Sequence, residues 1–599
     1  MSGQVRLYLK LGLLEELGVK VVGPPEGVPD LFEGRIHGYA APMTGVLGVD
    51  LPGGSFAGFG AGALEGGRAP TLLGVKGGVA LSGYSLRASS IPDSLDLVGA
   101  DGRVWFRADH VHVHHDGVKG SFEVRNADLR VSPALASRLG DPHLVELAVG
   151  VLEFSGVAMP HPVSGGVAGL KAPGAAQCGT PDFDLPVDIA LTQISSVQQS
   201  AIESGRMVIT PSAELQNVGQ ADVRWEPALD PDHPMLVWAL YRLSGDQFEQ
   251  IGVSVAKHAF FATNIGCPCE GSTVLWAGGC GDVYGVFTNE DRSNLAPRAE
   301  VQASTVSWDS CGSVFDANCD GLYDITLPAN ELERRMSVPL EALQTPGARY
   351  FIEAWYLVSG DVDIFNSMGW REVRPFFTGT FWTFHLQTPF AAGSALDAWV
   401  PAGTLTATES AQRYAGPNGH FQLTSQVTDL GGGRHRYEYA LMNFDFDRQI
   451  ARLAIPLAAG ATPTDLVFAD GSETATDDWS PEIGAAELRW EAPAGQGLDW
   501  GRLARFAVTV DVASQPGFVG TQPLEAGDPS TLALPALVPL PEATPITGLL
   551  VGSAALVALR RQRRSEEQAS QRAVSARRDG ARRRATMRVG TPRRSSRIM

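Results

Sequence analysis

Apolar residues along this chain recur mostly at every second position, the period of a half-buried β-strand, and only rarely at helical spacing. "GRVWFRADHVHVHH" (102–115) alternates in this way, and "SFEVRNADLRVS" (121–132) does so again after the turn "DGVKG", so the two are expected to pair as a hairpin. "MLVWALYRL" and the following "DQFEQIGVSVAKHAFFA" read as another pair, and "ARYFIEAWYLV" as a strong buried strand. The clearest hairpin is "HFQLTSQVTDLGGGRHRYEYALMNFD", with Phe421, Leu423 and Val427 on one face of its first strand and Tyr437, Tyr439 and Leu441 on one face of its second. The glycines at 431–433 supply its turn. Three stretches read as helical. "MSGQVRLYLKLGLLEELG" is expected to be a short amphipathic helix. "SPALASRLGDPHLVELAVG" is expected to be helical with a break at Gly-Asp-Pro, and "ANELERRMSVPLEALQ" to be a short helix.

Placed end to end, these elements predict a mainly β chain of several sandwich-like domains with a few short helices. The expected organisation is a Gly-rich β domain over 1–165, a linker over 166–182, a β-rich domain with a cysteine cluster over 183–395 and a β-sandwich over 396–533. A Pro-rich linker over 534–545, an apolar segment over 546–559 and a basic tail over 560–599 complete it. No internal repeat is visible.

Composition agrees. With 68 Gly, 39 Pro and 19% charged residues, turns are frequent and long helices disfavoured. The formal charge of −19 hides a split. From Arg560 to Met599 there are 14 Arg, no Lys and three acids, which leaves 33 basic and 63 acidic residues in the body. An acidic body repels nucleic acid, so no nucleic-acid partner is expected for it.

Five of the six cysteines, Cys267, Cys269, Cys280, Cys311 and Cys319, lie close together, and Cys178 stands apart. An even, clustered set in a turn-rich chain points to disulfides and an oxidising compartment. Cys311–Cys319 is the expected short loop, with Cys280 paired to Cys267 or Cys269. Cys267-Pro268-Cys269 lacks the gap that structural zinc sites use.

The sharpest chemical motif is "DANCDGLYD" (316–324). Asp316, Asn318 and Asp320 occupy positions 1, 3 and 5 of a calcium loop, Gly321 the turn position, Leu322 the carbonyl position and Asp324 position 9. Leu327 stands at position 12, where a bidentate Glu belongs, so weak calcium binding is the expectation and an acidic turn held by the flanking cysteines the plainer alternative. The spacing resembles the calcium loop of dockerin modules over these nine residues. In "DHVHVHHD", His110, His112 and His114 would share one strand face, but alternate residues of one strand lie roughly 6–7 Å apart, too far for three good metal ligands. Asp445 and Asp447 read as solvent-facing acids. No Gly-x-Ser-x-Gly elbow, His-Glu-x-x-His or phosphate-binding Gly loop occurs. No catalytic residue is therefore assigned.

The C-terminal run "VPLPEATP", then Ile546–Leu559, then Arg560, Arg561, Arg563 and Arg564, resembles the sorting signal of bacterial PEP-CTERM proteins, which exosortases process. It departs in having Ala543 where the second Pro belongs, and in the 35 residues after Arg564. The resemblance implies export, an exosortase-type processing partner and a membrane segment at 546–559 with the Arg tail cytoplasmic. "LYRLSGDQFEQIGVSVAKHAFFA" and "YEYALMNFDFDRQIARLAIPL" also resemble regions of uncharacterised exported bacterial proteins, which implies secretion and β-rich folding. Glu15 and Glu16 interrupt any leader-like apolar run, so the natural start is expected upstream of Met1. The expected role is a membrane-tethered surface or envelope protein, structural or adhesive. The alternative is a secreted hydrolase with a site between domains, near Lys257, His258 and the Cys267–Cys280 loop.

Overall fold

The computed structural model describes residues 2–23, 36–51, 56–116, 120–157, 185–224, 229, 233–258, 275–472 and 474–541. The chain is mainly β, built from several antiparallel sheets, and residues Met1–Pro539 form one compact unit. The segment 546–559, the tail, the 166–182 linker, Cys178, Cys267 and Cys269 lie outside the described residues. Among the described residues no helix is long and apolar enough to cross a membrane.

The first sheet has nine strands. Ser121–Val131, Ala148–Val157, Ser2–Lys10, Ile36–Asp50, Gly58–Glu65, Ser85–Ala88, Leu95–Val98 and Val104–Asp109 follow one another, and the last pairs back onto the first, Val131 opposite Phe106. The sheet therefore closes into a ring instead of stacking as two layers, which leaves no edge over that stretch. The N-terminal stretch is a strand and not the expected helix. Val5, Leu7 and Leu9 are fully buried while Gln4, Arg6 and Tyr8 point the other way, a period of two. Only Leu11–Glu16 turns helical, burying Leu13 and Leu14. The expected hairpin forms, but its first strand is broken. Val104–Asp109 and His112–Asp116 pair with opposite ends of Ser121–Val131, and His110 between them takes a left-handed φ of 52°. His110 and His112 consequently do not share a face. The helix Pro133–Leu139 is capped by Ser132, ends at Gly140, and gives way to a 3-10 turn at Pro142–Leu144, as the Gly-Asp-Pro break predicts.

The central sheet has eleven strands. Met235–Ser244 pairs with Gln247–Val253, as expected, and on its other side with Arg349–Leu357. Its unbroken apolar run has a physical reason: both faces are covered. Leu236, Trp238 and Leu240 enter one core with Ile352 and Tyr356. Met235, Val237 and Tyr241 enter another, with Phe351 and Trp355. The expected helix over "ANELERRMSVPLEALQ" is instead turns, the strand Ser337–Pro339 and a 3-10 segment Leu340–Gln344, because Pro339 interrupts any helical ladder there.

The C-terminal region is a sandwich of two five-stranded sheets. The expected hairpin forms from Gly419–Gly431 and Arg434–Asn443, with Leu423 opposite Leu441, and Gly431, Gly432 and Gly433 all have positive φ. The layers meet where Phe506 packs on Trp490 at 5.4 Å between ring centres and where the Tyr439 hydroxyl donates to the Leu537 carbonyl at 2.8 Å.

Candidate functional site

The 316–324 segment forms a tight turn. Asp316 accepts from the amides of Asp320 and Gly321, both at 3.0 Å, and Asn318 Oδ1 accepts from Asp320 at 3.0 Å. Asp320 Oδ1 accepts from the Leu322 amide at 2.8 Å, while Asp324 donates its amide to the Phe315 carbonyl. Cys311 and Cys319 are joined, with Cα atoms 4.5 Å apart, so the loop is closed covalently as expected. Cys280 is also disulfide-bonded, to a partner outside the described residues. The carboxylates of Asp316, Asp320 and Asp324 do not converge. Among the described residues, the acidic, His or Cys set whose ligand atoms all lie within 4.8 Å of one another is Asp109, His110 and Asp128.

That set lies at the junction of the closed sheet and the central region. Asp109 ends its strand, and the left-handed turn at His110 swings the imidazole outward. Opposite stands the turn Ser195–Ser196, between the strands Ile189–Gln193 and Val197–Glu203. His110 Nδ1 lies 2.9 Å from Asp109 Oδ1, and Nε2 lies 3.1 Å from Ser195 Oγ. Arg130 places Nε 2.7 Å from both Asp109 oxygens, and Nη2 on Asp128 at 3.0 Å and Ser196 Oγ at 3.2 Å. Asp128 also accepts from the amides of Val286, at 2.8 Å, and Phe287, at 3.1 Å. A guanidinium thus already sits among the carboxylates, so this is an ion-pair network and not a metal centre.

Burial pushes Asp109 up, but Arg130 and His110 outweigh it and hold its carboxyl well below the usual range. Burial pulls His110 down, and the hydrogen bond and charge of Asp109 raise it above an ordinary imidazole. Asp128 is raised by burial, against the pull of Arg130. His112 is different. Burial lowers it to about 3, and its Nε2 donates to the Val283 carbonyl.

Next to this network a cavity of about 460 Å³ is lined by Lys10, Glu16, Phe287, Glu290, Glu331 and Arg335. Lys10 pairs with Glu290, which is 2% exposed, and burial lowers the Lys10 pKa well below its ordinary value. Lys257 and His258, near which a hydrolase site was the alternative, are both buried. His258 lies 2.7 Å from His233 and packs edge-on against Trp308 and Phe315, which makes it a core residue. Asp445 is buried and not solvent-facing: it accepts from the His420 amide and ring. Asp447 is held by Ser304 and Gln302 across the sandwich junction.

Nothing local in the sequence marks Asp128, Arg130 or Ser195 as partners of His110, because the turn that meets it lies 85 residues away. No protein-family model matches the chain, and no curated protein does. Among solved structures, a serine-rich repeat adhesion glycoprotein from Streptococcus agalactiae matches over 59% of this chain and 97% of its own length, at 9% identity. Its TM-score of 0.15 is too low to carry an argument.

Proposed function

We propose that this chain is an exported bacterial envelope protein with a structural or adhesive role. It is held to the membrane by Ile546–Leu559 until an exosortase-type enzyme processes it. The observation that carries the reading is the oxidised state of the described cysteines: Cys311 and Cys319 are joined and Cys280 is bonded. Such bonds persist outside the reducing cytosol and are rare within it. The eight-strand ring of the N-terminal sheet fits the same reading, since strands paired on both sides resist pairing with foreign strands. The acidic turn at Asp316, Asn318, Asp320, Leu322 and Asp324 would take calcium weakly in an extracellular setting.

Cell fractionation with protease shaving tests the proposal. The expected result is a membrane-associated chain cleaved by external protease, with no reactive thiols in the denatured, unreduced protein. A full-length chain in the cytosolic fraction, carrying six free thiols, overturns it.

A further inference from the structure

The serine facing His110 has an unusual hydrogen-bond environment, and one arrangement of protons runs through it to Asp109. Ser212 Oγ accepts from the amides of Ser195, at 3.1 Å, and Ser196, at 3.0 Å, which occupies both of its lone pairs. Its own proton must therefore go to Ser195 Oγ, 2.9 Å away. Ser195 Oγ, having accepted there, can pass its own proton to His110 Nε2, 3.1 Å away, when the ring is neutral. A nitrogen that accepts carries no proton, so the neutral ring bears its proton on Nδ1, facing Asp109 Oδ1 at 2.9 Å. Arg130 Nη2 also lies 3.3 Å from that same Nδ1, farther than from Asp128 at 3.0 Å and Ser196 Oγ at 3.2 Å, which take its two protons in this arrangement. Its Nε holds Asp109 and its Nη1 donates to the Glu146 carbonyl. The chain of protons then runs Ser212, Ser195, His110, Asp109. Ser195 is exposed, so a reactant can reach its hydroxyl.

We propose that Ser195 is an activated nucleophile toward acyl and phosphoryl groups with good leaving groups, with His110 as its base and Asp109 positioning His110. A nucleophile, a base within hydrogen-bond reach and a carboxylate fixing the tautomer are the elements such catalysis requires, in whatever order the chain supplies them. With an activated ester, the Ser195 Oγ–C bond forms as the Oγ proton passes to His110 Nε2. The C–O bond to the leaving group then breaks, and the leaving oxygen takes that proton. Water attacks the acyl-serine, gives a proton to His110 that returns to Ser195 Oγ, and releases the carboxylic acid.

The same geometry limits the substrate class. The amides of Ser195 and Ser196 are both committed to Ser212 and cannot serve an oxyanion. Loss of one such donor costs about 10²–10³-fold in a serine protease. Small activated esters are therefore the expected substrates, and unactivated amides are not. The proposal is independent of where the protein resides in the cell.

Purified full-length protein treated with a fluorophosphonate probe tests it. Here the Oγ–P bond forms, the P–F bond breaks, fluoride leaves and His110 takes the proton. The expected result is one adduct, mapped to Ser195 by peptide mass spectrometry. It should be absent in Ser195→Ala, retained in Ser196→Ala, and formed about 10²–10⁴-fold more slowly in His110→Gln. The charged and titratable groups facing His110 are Asp109, Asp128, Glu214 and Arg130. Because His110 must be neutral to act, labelling should rise with pH through a midpoint above about 6.5. Asp109→Asn should move that midpoint lower and, with the tautomer no longer fixed, also slow labelling above the midpoint, where a carboxylate acting by its charge alone would leave the rate unchanged. An unlabelled protein with an unchanged thermal midpoint overturns the proposal, as does labelling that persists in Ser195→Ala or that shows no dependence on pH.

Discussion

The two junctions of this molecule are built on opposite principles. The closed N-terminal sheet keeps its apolar core almost wholly to itself; Phe381 is the central residue that joins it. Its contact with the central region is polar. Glu16 accepts from Gln199 and Ile202, Gln198 forms two bonds with Ala148, and Asp128 accepts from Val286 and Phe287. The sandwich instead shares a core with the central region: Ala440, Met442, Phe444, Trp500 and Leu503 pack with Val237, Phe351 and Trp355. Its polar contacts, such as Arg505 to Glu249 at 2.9 Å, lie around that core. A shared apolar core makes two regions one cooperative unit, because neither can open without exposing the other. A hydrogen-bonded junction depends on geometry. It is unforgiving when one partner is lost, since the remaining partner is left buried and unsatisfied.

The largest expected effect is at the shared core. Phe444→Ala removes a fully buried ring and should cost about 3–5 kcal/mol. Denaturant unfolding should show the central region and the sandwich losing structure in one transition. Two separated transitions in the wild type would break the comparison. Asp128→Ala strikes the polar junction. Arg130 keeps Asp109, so the loss should fall near the low end of the range for a broken buried pair, about 3 kcal/mol. Native-state hydrogen exchange should place the loss in the N-terminal sheet and leave the sandwich protected.

Acid sharpens the contrast, because burial holds His112 neutral at the polar junction and His233 and His258 neutral in the central core. Burial lowers both His112 and His233 to about 3. Their folded values lie below the unfolded one, so the stability they contribute is present above about pH 6.5 and is lost as pH falls toward 3. Each should cost about 1.4 kcal/mol per pH unit over that window, or about 2 kcal/mol by pH 5. His110 acts in the opposite sense: its raised pKa contributes stability below about pH 6.5 that is lost as pH rises through its folded value. The thermal midpoint should therefore fall between pH 7 and 5, less steeply in His112→Gln. A flat profile would contradict the burial of these rings. The smallest effect is calcium. At 10 mM, a site with affinity near 1 mM should add about 1.4 kcal/mol, and Asp320→Ala should abolish the gain. An unchanged midpoint in both proteins would leave the 316–324 segment an acidic turn.

What the sequence determined by itself was local and periodic. Alternation located the hairpin of Phe421 and Leu441, since turn glycines between two runs of period two are a local signal. Eight residues of separation made Cys311–Cys319 legible, because so short a loop closes at little entropic cost. The strand at Val5, Leu7 and Leu9 alternates too, but the helical turn Leu11–Glu16 that follows masks it in the sequence. Tertiary structure alone decided which strands met. Closure of the first sheet requires Val131 to find Phe106, and the facing of His110 by Ser195 joins two turns in separate sheets. Asp445 shows the same limit: its neighbours mark it as an exposed acid, yet the amide and ring of His420 bury it. Such pairings are set by long-range packing and by the satisfaction of buried polar groups, quantities that a single strand does not encode until its partners cover it.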